Sequence, residues 1–226
     1  MCGRFVLDRD SAALAGAFGI DKADLGDDDP VLSRPRYNIC PTQSVVTIRM
    51  GGAGREAVPM RWGFLPHWYK TPADGPLIIN ARAETIAEKP AFRAACRERR
   101  CLIPASGFYE WRSSDPKPKT PFYFHAPGLP VFAFAGVWQR WAAEGHEPVD
   151  TCAIVTCNAN DAMRPIHHRL PVVIEPERYG LWLGEEGKGA ARLMHAVPDA
   201  FFALHEVGRA VNSARSDSSQ LIEPVS

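Results

Sequence analysis

The chain has no apolar run long enough to cross a bilayer, which takes roughly 20 residues. Its longest, Leu129–Trp138, is about half of that and reads as a core strand. The N-terminus lacks the basic region and apolar stretch of a secretory signal, so a cytoplasmic protein is expected, nucleoid-associated if bacterial. None of the six cysteines forms a Cys-x-x-Cys pair, and no histidine pair has finger-like spacing. A structural zinc site is therefore not expected, nor, without a signal, a disulfide framework. A glycine-rich dinucleotide fingerprint and a P-loop are both missing, so no cofactor is expected. Net charge is missing as well, with 26 basic residues against 26 acidic ones. That excludes a broad electrostatic coat for nucleic acid but not a local one, because the total says nothing of where charges lie. Lysine is scarce: 20 of the 26 cations are arginine, which favours planar, bidentate contacts. A run of acids between Asp21 and Asp29 leaves the rest of the surface less acidic.

What is present suits one globular domain, expected over residues 1–226, since 46% of the chain is hydrophobic. Ser11–Phe18 carries Ala and Leu at helical spacing after an Asp/Ser start. Val45–Met50 and Val58–Trp62 read as two strands joined by the glycine-rich turn Gly51–Gly54. Pro66–Pro76 is an ordered, proline-rich loop, Ile78–Ala83 follows it, and Pro90 opens a helix running to about Arg100. Later strands are expected at Cys101–Trp111, Phe122–His125, Val131–Trp141, Thr151–Cys157, Pro171–Ile174 and Ala203–Val211. Helices are expected after Glu175 and over Gly187–His195. The fold class is α+β: a curved, mainly antiparallel, barrel-like sheet with peripheral helices.

Cys2 is the most informative residue. Removal of Met1 would leave an α-amine and a thiol on adjacent carbons, both partly reactive near neutral pH. Such a 1,2-aminothiol condenses with an aldehyde to an imine and closes to a thiazolidine ring. It equally suits an N-terminal nucleophile that attacks an amide. From the dipeptide alone, a cysteine that merely begins a strand is as good a reading. Gly3 permits close approach, and Arg4 sets a permanent cation beside the thiol.

Three further stretches place polar groups among apolar ones. Asn80 and Arg82 lie two residues apart and share a strand face; Asn80 also suits a turn or cap. Glu110 lies between Tyr109 and Trp111, where burial would raise its pKa; an exposed edge-strand glutamate is the alternative. Ile166-His167-His168-Arg169 sets two imidazoles in a loop bounded by Pro165 and Pro171. Such a loop suits proton transfer or a structural role, and metal binding by adjacent histidines is not expected. Trp62 and Phe64, with Trp68 and Tyr69 in the proline-rich loop, are core or, in the loop, platforms for unpaired bases.

Taken in order, these stretches resemble the SRAP family, the SOS response-associated peptidase-like proteins that process abasic sites in single-stranded DNA. The resemblance is carried by Met1–Phe5, Arg36–Pro41, Met60–Phe64, Ile79–Glu84, Cys101–Pro104, Gly107–Trp111, Ile166–Pro171 and Val211–Arg215. It implies Cys2 as covalent nucleophile, Asn80 and Glu110 as groups that position and deprotonate it, and His167 as acid/base for the sugar. It implies DNA contacts from Arg4, Asn38, Trp68, Tyr69, Arg82 and Arg169. The family commonly has an acid after the first histidine and a Met before the proline, where this chain has His168 and Leu170. The activity implied is a thiazolidine cross-link to abasic single-stranded DNA, lyase-type chemistry and autoproteolytic removal of Met1. A monomer is expected, with single-stranded DNA and the replication machinery as partners and no membrane. The rivals are a glutamine amidotransferase with an N-terminal nucleophile and a non-catalytic single-strand-binding module.

Overall fold

A computed structural model describes residues 2–21, 30–114 and 117–225. Met1 and the acidic run beyond Asp21 lie outside them. The Asp10 carboxylate accepts from the Ala13 amide over 2.9 Å and Gly19 adopts the left-handed conformation. These two caps bound helix α1 at Ser11–Phe18, as the sequence predicts.

Strands β1 (Arg4–Leu7), β2 (Arg36–Ile39), β3 (Ser44–Met50), β4 (Arg55–Trp62) and β5 (Asn80–Arg82) fill the first part of the chain, with a short α2 at Pro30–Ser33. Helix α3 (Arg93–Glu98) precedes β6 (Arg100–Ala105), β7 (Gly107–Ser114), β8 (Lys117–His125), β9 (Phe132–Trp141) and β10 (Val149–Asn158). Then come β11 (Arg169–Pro171), β12 (Val173–Ile174), α4 (Tyr179–Leu183) and β13 (Ala203–Glu206). No helix among the described residues is long and apolar enough to cross a membrane.

Two sheets result. One runs β13-β8-β7-β1-β2, all antiparallel. The other runs β11-β10-β4-β3-β6-β9-β12, and β9 also pairs with β10, so β10, β4, β3, β6 and β9 close into a ring. The fold is thus α+β with a barrel-like, mainly antiparallel core; the parallel pairs are β10 with β4 and with β5. Strand β10 organises the site: its register pairs Ile154 with Asn80 and Asn158 with Arg169. The sheets meet through β1, whose Phe5 packs edge-on against Trp62 at 5.2 Å and Phe134 at 5.9 Å. One apolar cluster runs through both sheets.

Several elements differ from expectation. The strand expected over Cys101–Trp111 is two strands in two sheets. The chain changes sheet at Ser106, whose hydroxyl accepts from the Asp8 amide at 3.1 Å while its own amide donates to Val6. Gly107 follows because a Cβ there would fall 2.3 Å from the Tyr123 ring. The long helix from Pro90 is cut to α3, the helix over Gly187–His195 is a 3-10 turn at Ala190–Leu193, and Ala203–Val211 is a strand only to Glu206. The segments lost around α3 and at residues 187–195 take their backbone partners from turns, whereas beyond Glu206 the ladder shrinks to an isolated bridge of Val207 with Pro224.

Candidate active site

Cys2 lies just ahead of β1, and its side chain is 1% exposed within the main apolar cluster. Burial, helped by the negative charge of Glu110, pushes its thiol well above the ordinary range. With Met1 in place its nitrogen is a peptide amide, so the reactive pair does not exist in the uncut chain. The side-chain amide of Asn80 donates to the carbonyl oxygen of Cys2 over 3.0 Å. The Oδ1 atom of Asn80 is buried and has no hydrogen-bond partner among the described residues. Such an orphan acceptor is costly unless something else satisfies it.

Glu110 is 3% exposed, and burial raises its pKa above the ordinary carboxylate value. Strand alternation sends Tyr109 and Trp111 to a second cluster, whereas Phe108, on the face of Glu110, joins the main core. Glu110 and His167 line one open cleft of about 600 Å³ together with Gly3, Arg4, Trp111, Lys119, Arg209 and Asn212. His167 is half-buried, and burial is the largest cause that lowers its pKa to about 4. The Arg169 amide donates to His167 Nδ1 over 3.0 Å. The Arg169 carbonyl oxygen lies 3.3 Å from the same nitrogen, so the shorter amide contact corresponds to the neutral ring with its proton on Nε2 and the longer one to the ring with its proton on Nδ1.

The expected DNA contacts separate into two groups. Arg82 and Trp68 are exposed, and Arg4 lines the cleft. Arg4 also donates to Asn38 Oδ1 at 3.1 Å, Val211 O at 2.5 Å and Asn212 O at 3.0 Å. Asn38, Tyr69 and Arg169 are buried. Asn38 donates to the carbonyls of Ser213 and Ser216 and so pins the C-terminal segment. Tyr69 belongs to a small cluster with Leu65 and Trp141. Arg169 makes a two-point ion pair with Glu84, at 2.8 Å for each contact, and reaches Asn158 Oδ1 and Thr156 O. It therefore braces the histidine loop against the turn after β5. Lys119 and Arg209 were not singled out in the sequence; each is an isolated cation there, and only the fold brings both to the cleft.

The family model for SOS response associated peptidase, SRAP, matches residues 1–214. The chain belongs to the SRAP family. It is 37% identical over 226 residues to the abasic site processing protein YoqW of Bacillus subtilis, covering 99% of each chain. To the abasic site processing protein YedK of Escherichia coli it is 31% identical over 231 residues, covering 100% of both. A crystal structure of a protein from Bacteroides thetaiotaomicron shares the fold, with a TM-score of 0.83 at 22% identity over 99% of this chain and 100% of that one.

In this SRAP domain the four residues expected to be catalytic come from β-strands and loops far apart in sequence. Cys2, Asn80 and Glu110 meet where the two sheets join, and His167 shares the cleft with Glu110. Among the described residues, no group of three or more His, Cys, Asp or Glu side chains is placed to hold a metal ion.

Proposed function

We propose that this protein processes abasic sites by forming a covalent cross-link between Cys2 and the open sugar aldehyde in single-stranded DNA. The observation that carries the reading is Asn80 bonded to Cys2 beside the buried Glu110, at a cleft that also holds His167. The names of the relatives support the substrate.

The Met1–Cys2 peptide bond is first hydrolysed, freeing the Cys2 amine; removal by the domain itself is the peptidase aspect of the proposal. His167, with its proton on Nε2, hydrogen-bonds a sugar oxygen as the ring opens to the aldehyde. The amine adds to the aldehyde carbon, Glu110 takes a proton from the nitrogen, and loss of water gives the imine. Asn80 Oδ1 accepts from the reacting nitrogen or hydroxyl and holds it in place. The Cys2 sulfur then adds to the imine carbon while its proton passes to the imine nitrogen. The net change is amine, thiol and aldehyde to thiazolidine and water. An open imine would promote β-elimination and strand cleavage; ring closure removes it and protects the strand. Arg4 and Arg82 are assigned to phosphates and Trp68 to an unpaired base.

The test is to mix the protein with a single-stranded oligonucleotide bearing one abasic site and analyse it on a denaturing gel, with mass spectrometry of the N-terminal peptide. A covalent band lost in Cys2→Ala is expected. A stable band in that variant overturns the proposal, as does glutamine hydrolysis without cross-linking or binding without any covalent product.

A further inference from the structure

The closed ring of β10, β4, β3, β6 and β9 has an end where β3 and β9 finish and β4, β6 and β10 begin. A cleft of about 920 Å³ opens there, larger than the one beside Cys2. Arg49, Arg93, Arg99 and Arg140 line it, against only Glu56 and Asp150. Each carboxylate is hydrogen-bonded through one oxygen, while Asp150 Oδ1 has no hydrogen-bond partner among the described residues. Arg49 donates to Glu56 at 2.7 Å and to Asp150 at 3.1 Å, and Arg140 lies 3.6 Å from Asp150. The Arg49 guanidinium is further fixed 4.6 Å above the Trp138 ring. The surplus is therefore positive. Arg93 is exposed and has no ion pair among the described residues. Arg99 Nη1 reaches Glu98 Oε2 at 3.5 Å, but its Nε is buried without a hydrogen-bond partner among them. A buried guanidinium N–H left unsatisfied in an open, cationic cleft calls for an acceptor from outside the chain.

The rim identifies what kind. His67 lines the cleft, and its ring meets Trp68 edge-on at 4.9 Å. Trp68 is 48% exposed, the one aromatic among the exposed large hydrophobic side chains of the described residues. An arginine-lined groove ending at an exposed indole is the combination that holds unpaired nucleic acid: cations on the backbone, a flat ring under a base. The cleft also lies on the strand that positions the active site. Asp150 is four residues from Ile154, the register partner of Asn80, or about 13 Å along β10.

We propose that this barrel mouth is a second phosphodiester site, which holds the backbone of the same single strand beyond the active cleft. The inference rests on the single-strand substrate given above and adds to it a separate source of affinity. The mouth takes no part in the covalent step, so binding and cross-linking should respond differently when it is altered.

The test uses the full chain carrying both R93Q and R140Q, with undamaged single strands of about 5 and about 20 nucleotides, chosen at the lower end of typical site sizes and above them. Fluorescence anisotropy gives Kd as a function of salt. For the longer strand we expect roughly tenfold weaker binding at low salt and a log Kd–log salt slope reduced by about 1.4, corresponding to two phosphates. Binding of the shorter strand and cross-linking of a short abasic oligonucleotide should stay at wild-type levels. The pair R93K and R140K, which keeps both charges, should restore the slope. Unchanged affinity and slope for the longer strand, with wild-type cross-linking intact, overturns the second site alone. Equal losses for both strand lengths also overturn it. Failure of the wild type to bind either strand overturns this site and the proposed function together.

Discussion

The amide of Asn80 holds the carbonyl of Cys2 at 3.0 Å across 78 positions of sequence. This bond fixes the start of the chain against β5, and β10 fixes β5 by pairing Ile154 with Asn80. Through it the barrel determines where the residue after Met1 sits. The other end of the same amide, Oδ1, is left buried without a partner among the described residues.

Asn80→Asp removes the donor and keeps the shape. The carboxylate cannot donate to Cys2 O, and it adds a negative charge near buried Glu110. Cross-linking should fall at least tenfold and stability by about 1–3 kcal/mol. Single-turnover gels and urea denaturation separate the two effects; wild-type rates in a folded variant would remove Asn80 from the mechanism.

Glu110→Gln keeps the hydrogen-bonding shape but removes the base. A positioned general base contributes about 10²–10⁴-fold, so a loss of that size in cross-linking rate is expected. DNA binding, read by anisotropy, should be retained. Because burial raises the Glu110 pKa, the acid limb of the wild-type rate profile should lie above the ordinary carboxylate value and be absent in the variant.

His167 gives a pH signature of its own. Its pKa falls from an ordinary 6.5 to about 4 in the folded protein. Between those values the unfolded chain binds a proton that the folded chain refuses. Folded stability should therefore decline as pH drops from 6.5 towards 4, and His167→Gln should decline less. An NMR titration of the ring with a midpoint near 6.5 would contradict the burial argument.

Glu84→Ala leaves the Arg169 guanidinium without its two-point partner. Arg169 is 6% exposed at its side chain and Glu84 is 42% exposed, so water compensates in part. A stability loss of about 1–3 kcal/mol is expected, below the value for a fully buried pair. Since Arg169 also orients His167 through its amide, cross-linking should slow while Cys2 alkylation in denaturant stays normal. Urea curves that overlay the wild type would show that the pair is not needed to brace the loop.

The proposed chemistry was legible in the sequence where it depends on residue type at one position. A cysteine is a 1,2-aminothiol only where its own α-amine is free, as removal of Met1 would make it at Cys2, and that possibility, with the ordered motifs around it, pointed to the SRAP family before any fold was considered. Helix α1 was legible for a similar reason, because its Asp10 and Gly19 caps act locally. Glu110 reads in the sequence as a buried carboxylate between two aromatics; the fold buries it, but Tyr109 packs in a second cluster and Trp111 borders that cluster while lining the Glu110 cleft. For Asn38, Tyr69 and Arg169 the fold adds what residue type alone could not show. Their residue types suit DNA, but the fold uses them for its own hydrogen bonds and packing.

Sequence by itself thus determined which reactive groups the protein owns, that its net charge is zero, and which family it resembles. Tertiary structure alone decided where the charges act. The crossing at Ser106, the closure of β9 on β10, and the pairing of β5 with β10 set which cations are consumed internally and which are left for a ligand. The physical reason is that arginine has the same composition signature whether it is tied to Glu84 or open to a phosphate. Only long-range strand pairing, invisible to local periodicity, chooses between the two.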